Sequence, residues 1–283
     1  MTPRRSASGA FSFAPGAFRP VRALTPRPSA GEMTSMMIRP LSFAALAAAV
    51  LVGGCAYNET LGRNQLLIVD DSAFSQQSDA AWAEALRSQR VSTDAAGNAR
   101  IRRVGDRIVQ AAGLTDRRWE YALFVSDSPN AFVLPSGKIG VTTGLLSLVR
   151  NDDQLAAVLG HEVGHVVARH AAERYSTTAI TSTVIRAGQG LAGDQAQAAG
   201  ALGGLGAQFG VLLPFSRNHE LEADRLGVDY LQRAGFQPSE AVALWRLMAA
   251  QRQGSAPEFA STHPSDASRI AALEQYIASK GWR

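Results

Sequence analysis

Residues 161–165 read HEVGH, and they lie in a stretch too apolar for a surface. Leu159, Val163, Val166 and Val167 flank them, so a helix here is a buried one. Two histidines and a glutamate inside a buried helix need partners, because burying an unpaired polar group is costly. That requirement constrains the whole fold: other elements must bring polar groups to this helix. His161 and His165 are four apart and share a helix face, where both imidazoles can hold one ion. Neutral imidazole suits Zn²⁺. Glu162 is placed to reach a water on that ion rather than the ion itself. Its expected role is general base: it takes the proton of a zinc-acidified water, which attacks a peptide carbonyl, and the proton passes to the leaving amine.

A catalytic zinc needs a third protein ligand and one open position. The chain has five histidines: His161, His165, His170, His219 and His263. Residues 216–224 read SRNHELEAD. Glu220 and Asp224 are four apart on one face, which fits a ligand and an acid that orients a ligating histidine. Spacing alone does not order the candidates. Glu222, two on from Glu220 and pointing away, or His219 also fits as the ligand, with Glu220 then a salt-bridge partner of Arg217. His170 reads as a structural histidine.

The chain has 283 residues, 46% hydrophobic and 18% charged, a globular composition with enough length for a real core. Its single cysteine, Cys55, excludes an internal disulfide framework and a multi-cysteine zinc site. Of the 28 basic and 24 acidic residues, six arginines and one acid fall in residues 1–54, so residues 55–283 hold 22 and 23, a net charge of −1. The folded part therefore shows no basic excess, and no nucleic-acid partner is expected.

Residues 36–55 read MMIRPLSFAALAAAVLVGGC. Arg39 and the apolar run Leu41–Val52 have the form of a secretory signal, too short to span a bilayer comfortably. V-G-G-C resembles a bacterial lipobox, which makes Cys55 the expected lipidated N-terminus of the mature chain. Ala56 in place of an aspartate favours sorting to the outer membrane. Residues 1–35 read as a mis-assigned start or a disordered extension, 36–54 as the signal peptide, 55–78 as a tether and 79–283 as the enzymatic domain.

Within that domain Ala81, Trp82, Ala85 and Leu86 share a helical face, as do Ile101, Val104, Ile108 and Val109. Tyr121, Leu123 and Val125 alternate as in a strand. Pro135-Ser136-Gly137 reads as a hairpin turn between Phe132–Leu134 and Lys138–Thr142. Asn151-Asp152-Asp153 starts a helix expected to reach about Tyr175. Further helices are expected over roughly 217–234, from Pro238 to about Arg252, and over 265–279. The Gly/Ala-rich segment 187–214 reads as a helical element beside the active site, with too many glycines and glutamines for a spanning helix.

HEVGH and the downstream S-R-x-x-E-x-x-A-D together resemble the gluzincin metallopeptidases. That family includes the CAAX prenyl protease, HtpX, the mitochondrial Oma protease and periplasmic relatives such as the β-barrel-assembly-enhancing protease. The resemblance covers roughly residues 75–280. It implies an α+β, mainly helical, zincin-like domain with a sheet of three or four strands, and one Zn²⁺ per chain. It makes Glu220 the third ligand and Asp224 the acid behind a histidine. It places a substrate-binding edge strand at Lys138, Ile139, Gly140 and Val141, to which an extended peptide adds as another strand. Residues 262–270, THPSDASRI, resemble a C-terminal motif of periplasmic members. That match implies His263 as a reversible fourth ligand and Arg269 as a contact for the substrate carbonyl or the oxyanion. The expectation is a zinc endopeptidase of the bacterial periplasm, lipid-anchored to the outer membrane, acting on misfolded or stalled envelope proteins. The alternative is a chaperone-like holdase for outer-membrane proteins with latent proteolysis.

Overall fold

Asn151 caps the helix that carries the motif: its side chain accepts a hydrogen bond from the backbone N–H of Gln154 at 2.8 Å, and Asp152 and Asp153 occupy the first turn. In the computed structural model, which describes residues 55–189, 215–250, 259, 262–263 and 267–282, this helix is enclosed from Gln154 to His165. The expected signal peptide, the extension before it and most of the 187–214 segment lie outside the described residues.

The elements run β1 (Cys55–Asn58), β2 (Arg63–Leu66), α1 (Asp71–Ser88), α2 (Ala95–Ala111), β3 (Glu120–Phe124), β4 (Ala131–Leu134) and β5 (Lys138–Thr142). Then follow α3 (Thr143–Leu148), α4 (Asp152–Val167), α5 (His170–Gln189), α6 (Arg217–Arg233), α7 (Ser239–Ala250) and α8 (Ala267–Ser279). The architecture is mainly helical α+β, with a two-stranded and a three-stranded sheet. Ile101, Val104 and Ile108 of α2, Leu155, Val158 and Leu159 of α4, and Val228 and Leu231 of α6 share one core. A second, smaller cluster joins Phe74 and Trp82 of α1 to Phe124, Leu134 and Ala172. Among the described residues no helix is long and apolar enough to cross a membrane.

The hairpin around 135–137 forms as expected, with Gly137 at φ +84°. The edge assignment is corrected. Lys138–Val141 lies in β5, which is the middle strand of the order β3-β5-β4. β5 pairs parallel with β3 (Tyr121 opposite Ile139) and antiparallel with β4 (Val133 opposite Ile139). A strand paired on both sides has no free ladder, so the edge beside α4 belongs to Ala131–Leu134.

Two other expectations change. Residues 55–78 are no tether: they hold the β1–β2 hairpin, in register Cys55 opposite Leu66, and the start of α1 at Asp71. Asp70 caps that helix through the N–H groups of Ser72 and Ala73. The active-site helix also stops early. α4 ends at Val167 instead of near Tyr175, because Arg169 takes φ +55°, and α5 starts afresh at His170. A non-glycine residue in that region costs about 1–3 kcal/mol and persists only where its surroundings fix it.

α4 and α6 cross backbone to backbone. A methyl group on Gly227 would sit 2.9 Å from the backbone nitrogen of His161, and one on Gly164 would sit 2.9 Å from the carbonyl oxygen of Ala223. Gly227→Ala is expected to destabilise the protein by about 1–3 kcal/mol through overpacking, read from the midpoint of urea unfolding.

Candidate active site

α4 presents His161 and His165 one turn apart, and α6 presents Glu220 and Asp224 in the same way. The crossing brings the two pairs together. His161 Nε2 lies 3.4 Å from Glu220 Oε2, His165 Nε2 lies 3.4 Å from Glu220 Oε1, and the two ring nitrogens are 3.1 Å apart. His263 joins them, its Nδ1 3.2 Å from His161 Nε2 and 3.1 Å from Glu220 Oε1. One ligand atom from each of these four residues lies within 4.8 Å of the others, and all four side chains are buried. Glu220, and neither Glu222 nor His219, faces the histidines. His219 stacks on His170 at 4.3 Å, and its Nε2 lies 3.3 Å from Glu173.

The donor chemistry fits a zinc ion. His161 Nδ1–H donates to Asp224 Oδ1 at 2.9 Å, so the neutral ring offers the lone pair of Nε2 on the side of Glu220. His165 likewise has its Nδ1 engaged, 2.9 Å from His170 Nδ1. Burial alone would lift the Glu220 carboxyl, but His263 and Arg269 hold it well below the usual range, so it is a carboxylate. Two imidazole nitrogens and one carboxylate are a donor set that suits Zn²⁺.

Glu162, one residue from His161, points to a different side. Its Oε1 lies 3.2 Å from His263 Nε2, and burial pushes its carboxyl up. A cleft of about 450 Å³ opens here. Residues 130–135, including all of β4, form one wall; Glu162, His165 and His263 line it together with Phe215.

Arg269, the expected contact for the substrate carbonyl or the oxyanion, does not line this cleft. It is 1% exposed, and its Nη2 lies 3.5 Å from His161 Nε2. Nε and Nη2 donate to the two oxygens of Asp224 at 2.5 and 2.8 Å, and Nη1 lies 2.5 Å from Glu220 Oε2. The guanidinium covers the ring of Trp245 at 4.0 Å. α8, which carries Arg269, lies against α6 and α7. Cys55, the expected lipidation site, is exposed at the first residue of β1.

Sequence reasoning missed Arg63, Gln65 and the part played by Glu222. Arg63 Nε donates to Glu222 at 2.6 Å and its Nη1 to Glu173 at 2.7 Å. No periodicity marks these residues, and the contact between Arg63 and Glu222 spans 159 positions.

A mainly helical domain in which an HExxH helix meets a glutamate from a second helix is the arrangement of a gluzincin-type metallopeptidase. The chain belongs to peptidase family M48, whose sequence pattern matches residues 95–277. It is 42% identical over 179 residues to the mitochondrial metalloendopeptidase OMA1 of Schizosaccharomyces pombe, covering 62% of this chain and 52% of that protein. It is 31% identical over 241 residues to the mitochondrial metalloendopeptidase OMA1 of Bos taurus, covering 76% and 45%. It is 35% identical over 179 residues to the beta-barrel assembly-enhancing protease of Yersinia pestis, covering 60% and 37%. The chain thus spans about half the length, or less, of these relatives.

Replacing Arg269 leaves two carboxylates buried without their cation. Arg269→Met is expected to destabilise the metal-free protein by about 3–5 kcal/mol, measured by urea unfolding. A loss below about 1 kcal/mol would show that Asp224 and Glu220 find other partners.

Proposed function

We propose that the protein is a zinc-dependent endopeptidase that cuts extended, unfolded polypeptides, with His161, His165 and Glu220 as zinc ligands and Glu162 as general base. The observation that carries this reading is the convergence of three buried ligand atoms, with a separate buried carboxylate facing the cleft beside them. Bound zinc supplies Lewis acidity to the attacking water and to the scissile carbonyl. Glu162 accepts the water proton as the oxygen adds to the carbonyl carbon. It then gives that proton to the departing amine nitrogen as the C–N bond breaks, and ends in its starting state. Asp224 holds the His161 ring in the tautomer that leaves Nε2 free, and Arg269 holds Asp224.

β4 is the surface for substrate. Among the described residues it pairs only with β5, and it borders the cleft that Glu162 also lines. An unfolded segment can add to such an edge as a strand, and a folded one cannot, which selects damaged chains. His263 lies against His161 and Glu220 through Nδ1 and against Glu162 through Nε2. We read it as the reversible fourth ligand of an idle state. The signal-like residues 36–54 and the lipobox at Cys55 support a periplasmic, lipid-anchored protein at the outer membrane. Together with the relative named for enhancing β-barrel assembly, they support misfolded or stalled envelope proteins as substrates.

The test is casein hydrolysis by the full chain loaded with zinc. Chelation is expected to abolish cleavage and added zinc to restore it. Glu162→Gln is expected to lower the rate by about 10²–10⁴-fold with zinc still bound. Casein cleavage at the parental rate by Glu162→Gln would overturn the reading. His263→Ala is expected to raise the rate, because it removes the group that stands between ligands and base; an unchanged or lower rate would rule out the switch.

A further inference from the structure

On a continuous helix His170 would lie about 140° around the axis from His165, facing away from it. The break at Ala168–Arg169 changes that. With Arg169 at φ +55°, His170 turns back until its Nδ1 is 2.9 Å from His165 Nδ1. One assignment of both rings leaves His165 able to ligate a cation. Glu222 Oε2 lies 2.9 Å from His170 Nε2, and a carboxylate only accepts, so His170 Nε2 carries the hydrogen. The neutral ring then has its lone pair on Nδ1 and accepts from His165 Nδ1–H. That leaves the His165 Nε2 lone pair turned toward Glu220. Asp224 does this for His161 directly; Glu222 does it for His165 through one intervening imidazole.

The hairpin β1–β2 locks the chain in place. Arg63 donates to Glu222 through Nε at 2.6 Å and Nη2 at 2.8 Å, and to Glu173 through Nη1 at 2.7 Å. Gln65, itself buried, donates to the carbonyl of Ala168 at the break (2.7 Å) and to Glu173 (2.7 Å). His219 stacks flat on His170 from α6.

We propose that Arg63, Glu222 and His170 form a relay that positions His165 as a zinc ligand, so that the hairpin following Cys55 is a working part of the metal site. The proposal rests on the zinc-peptidase reading above. All three are positioning residues.

The test measures zinc affinity of the full chain by competition with a chromophoric chelator, together with the visible spectrum of the Co²⁺-substituted protein. His170→Phe removes the acceptor for His165 Nδ1–H. His170→Gln keeps an acceptor oxygen toward His165 and a donor nitrogen toward Glu222. His170→Phe is expected to weaken zinc binding about 10–100-fold and to shift the Co²⁺ bands. His170→Gln is expected to restore affinity to within about threefold of the parent. Arg63→Met, at the rim of the network, is expected to cost about 3–10-fold with the far-ultraviolet circular dichroism unchanged. His170→Gln as weak as His170→Phe would reduce the ring to packing and overturn the relay. Parental affinity in His170→Phe, or in Arg63→Met should His170→Phe not fold, would also overturn it and leave the zinc-peptidase reading standing. A parent chain that binds no zinc would overturn both.

Discussion

The site depends on how closely two helices approach. Helices in proteins usually pack with axes about 8–10 Å apart, set by the side chains between them. At Gly160, Gly164 and Gly227 there are no side chains to hold α4 and α6 apart, and backbone meets backbone. The close crossing puts the Glu220 carboxylate 3.4 Å from both His161 and His165. It also sets Asp224, one turn further along α6, against the far nitrogen of His161. Arg269 and the Glu222–His170 pair are arranged around this contact.

Such a concentration of buried polar groups is stable only when complete. Glu220 and Asp224 are nearly inaccessible to water, and each would be costly alone. Arg269 answers both, and Trp245 covers its guanidinium. His170 is fully buried as well, and its partner Glu222 is shared with Arg63. The polar groups around the ligands thus pair with one another, while Glu162 keeps its carboxyl toward the cleft. That division lets neighbouring residues such as His161 and Glu162 serve different ends, because successive helix positions point about 100° apart.

Much of this was legible in the sequence, and for a local reason. A spacing of four on a helix puts two side chains on one face wherever the helix goes, so His161 with His165, and Glu220 with Asp224, could be paired from residue numbers alone. An apolar neighbourhood made the first helix a buried one, and its capping residues fixed its start at Asn151. The hairpin at 135–137 carried its own turn chemistry. The mainly helical α+β class followed from these patterns and the family resemblance together.

Tertiary structure decided the rest. Spacing left Glu220, Glu222 and His219 as rival ligands, and the crossing at Gly227 chose Glu220. It sent Glu222 to His170 and Arg63 instead. Alternation located two strands about 135–137 but not which was the edge, since that turned on β3 pairing with β5 rather than with β4. The hairpin at 55–66 has no apolar alternation to announce it; Arg63 and Gln65 hold it to residues more than a hundred positions away. Arg269 reaches Asp224 and Glu220 because of where α8 packs. Periodicity records what one segment does with its own faces. Which segments meet depends on packing and on satisfying buried charge across the whole chain, and those contacts leave no period in the sequence.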